Sequence, residues 1–168
     1  MIGAVLVMRH KTANGLSKNV RAEVVDLLAP RLADLIDLHL QLKQAHWTVR
    51  GPNFIANHEL FDKLADEVEE FADEVAERIG QLGGQVDGTA RATAKASTLK
   101  EYPSGIAGGR EHIEALTRVI SDAGAKMRKA IDSATKAGDA DTADLFTGIS
   151  RGLDKSLWFI ESHAQAKD

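Results

Sequence analysis

The sequence predicts an all-α protein, a single four-helix bundle with one long crossover that carries a short helix. Three observations predict it. Four long stretches repeat their apolar residues at three and four positions, the period of a helix with one buried face. The first and second stretches, and the third and fourth, are separated only by tight breaks. The second and third are separated by Gly83 to Gly105, which is long for a bundle connection.

The first helix is expected from Lys18 to Val49, with Val20, Val24, Leu28, Leu32, Leu35, Leu38 and Leu42 as its stripe. Gly51-Pro52-Asn53 breaks it, and proline suits the first turn of a new helix. The second runs from Asn53 to Leu82 on Phe61, Leu64, Val68, Ala72, Val75, Ile79 and Leu82, and Gly83-Gly84 ends it. A third is expected from Ile106 to Lys136, stopped by Gly138. The fourth runs from Asp139 to Ala164, with Asp139 or Asp141 as its N-cap. A crossover between two hairpins must run back along a helix about 45 Å long. The residues from Gly83 to Gly105 can cover that, even with a short helix around Thr89 to Lys95. The competing topology, up-down-up-down, would not need so long a loop. Residues 1–17 read as a flexible N-terminal tail and residues 18–168 as the bundle domain.

Composition removes several classes of function. The chain has no Cys, so a metal must be held by imidazole, carboxylate or water, and a cytoplasmic location fits. The net charge of −4 does not suit a basic nucleic-acid binder. No apolar run approaches the roughly 20 residues that span a bilayer. Met1 to Met8 is apolar but lacks the basic leader of a signal peptide, and translation from Met8 is an alternative.

The chemistry lies on the first hairpin. His46 and His58 sit symmetrically about Pro52, so a hairpin turning there sets them face to face. Asp62 follows His58 by one helical turn, on the same side. Two imidazoles and a carboxylate suit Fe, Zn, Mn or Co. Asp73 and Glu77 repeat the one-turn spacing on the same face of the helix. They lie about 16 Å further along, whereas ligands sit about 2 Å from an ion. One chain therefore cannot bring all five to one metal. Two copies of the second helix packed antiparallel about a two-fold would do so twice, with sites about 22 Å apart. The rival reading is that Asp62, Asp66, Glu69, Asp73 and Glu77 form a solvated acidic face. No His has Glu three positions before it, which disfavours a di-iron centre within one subunit.

These residues resemble a known family. Lys43-Gln44-Ala45-His46-Trp47, Arg50-Gly51-Pro52-Asn53-Phe54 and His58-Glu59 look like the signature of the Dps family (DNA-binding protein from starved cells), the ferritin-like mini-ferritins. Asp73, Glu77-Arg78 and Gln81 to Gly84 continue it, as do Leu99 to Pro103, Arg128 to Ile131, Thr142 to Asp144 and Leu153 to Ser162. The match covers about residues 18 to 163. It implies a ferritin-like four-helix bundle assembled as a hollow dodecamer, a homododecamer of tetrahedral symmetry. It implies a ferroxidase that oxidises Fe(II) with hydrogen peroxide, or oxygen, and stores ferric mineral. The implied ligands are His46, His58 and Asp62 of one subunit with Asp73 and Glu77 of its two-fold mate. Trp47 and Lys43 would lie near the site, and Zn would be a competitor for it.

Two further expectations come with the resemblance. Asp144 matches a position that lines the family's three-fold pore, and Asp139 and Asp141 cluster beside it; helix capping is the alternative for all three. DNA contact, where the family makes it, uses a basic tail, here Arg9, Lys11, Lys18 and Arg21. Such contact would be non-specific and salt-sensitive. The rivals to the ferroxidase reading are a nucleoid-binding protein in which iron is secondary, and a helical interaction module without metal.

Overall fold

Local chemistry sets the helix ends. A computed structural model describes residues 8–165, so the expectations for Met1 to Val7 lie outside the described residues. Helix α1 spans Lys18–Thr48, α2 Phe54–Gln81, α3 Ala90–Ala96, α4 Gly109–Ala137 and α5 Ala140–Gln165. Ser17 caps α1, its hydroxyl accepting from the Val20 N–H at 3.3 Å. At the end of α2, Gly83 turns left-handed (φ 84°), and Gly84 N donates back to Ile79 O at 2.9 Å. Gly138 does the same at the end of α4 (φ 87°), and Asp139 then caps α5 at once. The α4–α5 connection is therefore only two residues long.

The pairs α1–α2 and α4–α5 are the tight hairpins, and α1 also packs on α4 and α2 on α5. Their inner stripes form one core, including Leu28, Leu35, Leu42, Phe61, Leu64, Ile79, Leu116, Ile120, Met127, Phe146 and Ile149. The arrangement is the expected one: two hairpins, one crossover, and a short helix within it.

The crossover runs the length of the bundle. It leaves α2 beside the start of α1, where Arg21 Nη1 donates to Leu82 O at 3.0 Å. It arrives beside the end of α1, where Arg50 N donates to Ala107 O at 2.8 Å. Between these points three α1 side chains hold it. Asp34 accepts from Thr98 N (2.7 Å) and Thr98 Oγ1 (3.0 Å). Asp37 accepts from Ser97 Oγ at 2.5 Å, and Gln41 Nε2 donates to Lys100 O at 3.0 Å. Asp34 is wholly buried, and Arg31 neutralises it at 2.9 Å.

The structure corrects one boundary. Helix α4 begins at Gly109, three residues after the expected Ile106. The Arg50–Ala107 bond holds the preceding segment extended, and Glu111 then accepts from Gly108 N at 3.0 Å, fixing the first turn.

Asp34→Ala should lower stability by about 2–4 kcal/mol, because it leaves Arg31 and the Thr98 N–H without their partner in the interior. Thr98→Val, which keeps the backbone donor, should cost about 1 kcal/mol. Chemical denaturation of the two variants checks the difference.

Candidate metal centre

The end of α1 creates the site. A helix leaves its last carbonyls without intrahelical donors. Val49 N takes Ala45 O at 2.9 Å. The next donor, Arg50 N, is spent on Ala107 O, so His46 O stays free of it. His58 Nδ1, reaching across the hairpin, donates to His46 O at 2.8 Å. The relation is reciprocal, for His46 Nδ1 donates to His58 O at 2.8 Å. The rings stack with centroids 3.7 Å apart and planes 20° from parallel.

A carbonyl oxygen can only accept, so both Nδ1 atoms carry their protons. In the neutral rings both Nε2 atoms then present bare lone pairs, the tautomer a metal ligand needs. Asp62 lies at the same height, its Oδ1 3.7 Å from His46 Nε2. Lys43 Nζ forms an ion pair and hydrogen bond with Asp62. That bond, reinforced by the field of His46, Lys43 and His58, outweighs partial desolvation and holds the Asp62 carboxyl below its usual range. Trp47 is exposed, with Lys43 Nζ 5.9 Å from its ring centre.

Asp73 and Glu77 are not brought to these three. Both are exposed further along α2, and neither makes an ion pair among the described residues. Nor do the described residues of the single chain contain a group of three or more His, Asp or Glu that could hold a metal. On α2, His58 and Asp62 lie near the start of the helix and Asp73 and Glu77 further along its axis.

The three acidic residues at the start of α5 differ from one another. Asp139 is buried, 2% exposed. Its oxygens accept from Arg78 Nη2 at 2.9 and 3.0 Å, Thr142 Oγ1 at 2.6 Å and Thr142 N at 3.1 Å. Burial pushes its carboxyl up, but the Thr142 and Arg78 bonds outweigh burial and leave it below its usual value. Asp139 thus caps α5 and fastens it to α2. Asp141 and Asp144 are exposed.

The candidate DNA residues also separate. Arg9 N and His10 N donate to Gly83 O at 3.1 and 3.2 Å, so this part of the expected tail lies against the end of α2. Arg21 spends its guanidinium on Leu16 O and Leu82 O, at 3.2 and 3.0 Å. Only Arg9, Lys11 and Lys18 present exposed side chains.

Sequence reasoning missed the structural work of Arg78 and the pairing of Tyr102 with His112. In the first case the signal was a basic residue one turn from the end of α2. In the second there was none, since the partners lie ten positions apart, one in the crossover and one in α4.

A bundle with one full-length crossover, carrying imidazoles and carboxylates on a facing helix pair, defines the ferritin-like class. Comparison with known proteins agrees: residues 25–167 match the family model of the ferritin-like domain. The chain is 46% identical over 158 residues to the DNA protection during starvation protein of Agrobacterium fabrum, across 94% of this chain and 98% of that protein. Among solved structures, DpsA14 from Streptomyces coelicolor aligns with a TM-score of 0.89 at 38% identity, covering 95% of each chain. Dps from Microbacterium arborescens, solved in a high iron form, aligns with a TM-score of 0.84 at 34% identity, covering 94% of this chain and 100% of that one. This chain belongs to the Dps family of mini-ferritins.

Two outcomes test the electrostatics. Asp139 is more acidic folded than its ordinary 3.8, so it stabilises fully above that value and loses its contribution as pH falls through the folded one. Asp139→Asn should therefore cost about 3 kcal/mol at neutral pH, with the deficit shrinking below about pH 4; thermal melts across pH follow it. Lys43→Met should return the Asp62 carboxyl upward toward its usual range, as read by carboxyl-carbon NMR titration.

Proposed function

We propose that this chain is a ferroxidase and iron-storage protein, the subunit of a hollow dodecamer that oxidises Fe(II) at sites shared between two-fold related copies. The reciprocal His46–His58 lock carries the reading. A hairpin could hold two imidazoles in many ways, and this one fixes both in the tautomer that offers Nε2 to a cation. Asp62 beside them supplies the anionic ligand. Asp73 and Glu77, exposed on the same helix, are the donors that a second, antiparallel copy would bring. Apolar side chains support that contact: Leu40 and Trp47 are seven residues apart on one face of α1, Ile55 lies just past the turn, and all three are exposed on the single chain.

Fe(II) is the substrate. His46, His58 and Asp62 of one copy bind it, with Asp73 and Glu77 of the other. Carboxylates stabilise Fe(III) over Fe(II), so this donor set favours loss of an electron. Two Fe(II) ions close to one peroxide deliver one electron each. The O–O bond breaks, two protons are taken up, and two waters leave. A lone Fe(II) would deliver one electron and release hydroxyl radical. Lys43 keeps Asp62 ionised until the cation arrives. Asp144, exposed near the start of α5, is the residue of the acidic cluster free to draw cations toward a pore, with the exposed Asp141 beside it lying 3.8 Å from Arg78. Protection of DNA follows in this reading from removal of Fe(II) and peroxide.

Complementation tests the sharing. A His46→Ala/Asp62→Ala variant and an Asp73→Asn/Glu77→Gln variant should each oxidise Fe(II) near the background rate, followed as ferric absorbance with peroxide under anaerobic conditions. Unfolded and refolded together, they should form mixed two-fold pairs in which one site of the two is intact. Random mixing then restores about a quarter of parental activity. Recovery of none, with mixed pairs demonstrated by mass, would place all the working ligands within one subunit. Parental activity in either single variant would remove those residues from the site.

A further inference from the structure

Behind the hairpin lies a pair of groups the iron chemistry above does not use. Tyr102, the only tyrosine in the chain, bonds through its hydroxyl to His112 Nδ1 at 2.7 Å. His112 is wholly buried, and its Nε2 has no partner. Its ring centre lies 6.3 Å from that of Phe61, which stands on α2 between His58 and Asp62. Asn57, the residue before His58, is also buried with its Oδ1 unpartnered, and its side chain lies against Gly109 on the first turn of α4. The pair therefore sits where α4 meets the ligand-bearing turn of α2.

As a packing device this is a poor choice. Burying an imidazole with one nitrogen orphaned costs about 1–3 kcal/mol, and two phenylalanines would fill the space without that cost. As a redox device it is complete. A phenol that loses an electron must lose its proton, and His112, in the tautomer protonated at Nε2, offers a bare Nδ1 2.7 Å away to accept it. Burial drives both groups toward their neutral forms, raising the pKa of the phenol and lowering that of the imidazole.

We propose that Tyr102 and His112 form a proton-coupled electron donor that quenches one-electron oxidants made at the neighbouring iron site. The inference rests on the ferroxidase reading for the source of the oxidant. When a site holds a single Fe(II), its reaction with peroxide gives Fe(III), hydroxide and hydroxyl radical. Hydroxyl radical takes one electron from Tyr102 and becomes hydroxide, while the phenolic proton passes to His112 Nδ1. The products are a neutral phenoxyl radical, an imidazolium and hydroxide, so atoms and charge balance. A later Fe(II) returns the electron, becoming Fe(III), and the proton moves back to the phenoxyl oxygen. Burial makes the imidazolium costly, so the proton returns readily once the electron does.

The test uses the assembled parent protein. In one arm it receives one Fe(II) per site and excess peroxide under anaerobic conditions, is frozen within milliseconds, and is read by electron paramagnetic resonance. In a second arm, without iron, photogenerated tris-bipyridyl ruthenium(III) is the one-electron oxidant. A phenoxyl signal is expected in both arms, and none in Tyr102→Phe, where no other tyrosine can supply it. His112→Gln should slow its formation about a hundredfold, the lower end of what a positioned proton acceptor contributes. If that variant does not fold, the parent decides alone: its phenoxyl oxygen must carry a hydrogen-bonded, deuterium-exchangeable proton in electron–nuclear double resonance. Ferric iron without phenoxyl, a tryptophan radical alone, a phenoxyl lacking that proton, or a phenoxyl in the ruthenium arm only while iron is oxidised normally would each overturn the proposal. Phenoxyl in the ruthenium arm with no iron oxidised by the parent would instead overturn the ferroxidase reading and leave the pair standing as an electron donor.

Discussion

Two carbonyl oxygens and two imidazoles fix the register of the first hairpin, and the rest of the molecule is built around that register. His46 O is available because α1 stops one turn after it and the next donor, Arg50 N, goes to the incoming crossover. His58 O lies across the turn at the same height. Each ring holds the backbone of the other's helix, so a slip of one residue would break both bonds and turn one ring about 100° away. The paired imidazoles are therefore a consequence of how a helix ends, and they need no outer residue to choose their tautomer.

The crossover completes this constraint from the other side. Arg50 can leave His46 O alone only because Ala107 O is waiting for it. Ala107 is there because Asp34, Asp37 and Gln41 pin Thr98, Ser97 and Lys100 along α1. The same side chains that close the topology also place Tyr102, a few residues further on, against His112. Fold and chemistry are joined through a loop that carries no proposed ligand.

What the sequence made legible was whatever depends on spacing along one chain. Apolar period, glycine stops and the symmetric placing of His46 and His58 about Pro52 are local, and four of the five helices begin and end within two residues of expectation. The misplaced start of α4 was a tertiary matter, since Ala107 is held extended by a residue nearly sixty positions away. The acidic cluster at 139–144 divided for the same reason. Nothing in the composition of that stretch says that Arg78 binds the buried Asp139 closely, touches the exposed Asp141 only at 3.8 Å, and leaves Asp144 to solvent. Arg21, counted with the basic tail by its charge, turned out to bond backbone carbonyls. Long-range partners of charged side chains are invisible to periodicity, and the two exposed ligand candidates, Asp73 and Glu77, are the extreme case, because their proposed partners lie in another molecule.

That last point bears on why a site would be divided at all. If Asp73 and Glu77 serve a neighbouring copy, the isolated chain has two imidazoles and one carboxylate already neutralised by Lys43, a weak set for a divalent ion. Iron would then meet a competent ligand set only where two copies have met. A catalyst assembled inside a single subunit would start oxidising iron before any copies had met to hold the product. Division by symmetry would tie the onset of oxidation to the meeting of two copies, the first step of assembly, at no cost in sequence beyond keeping two carboxylates on the ligand face of α2 and an apolar strip beside them. The exposed Leu40, Trp47 and Ile55 would then have a reason to be uncovered on the single chain, since the contact that hid them would be the contact that completes the site.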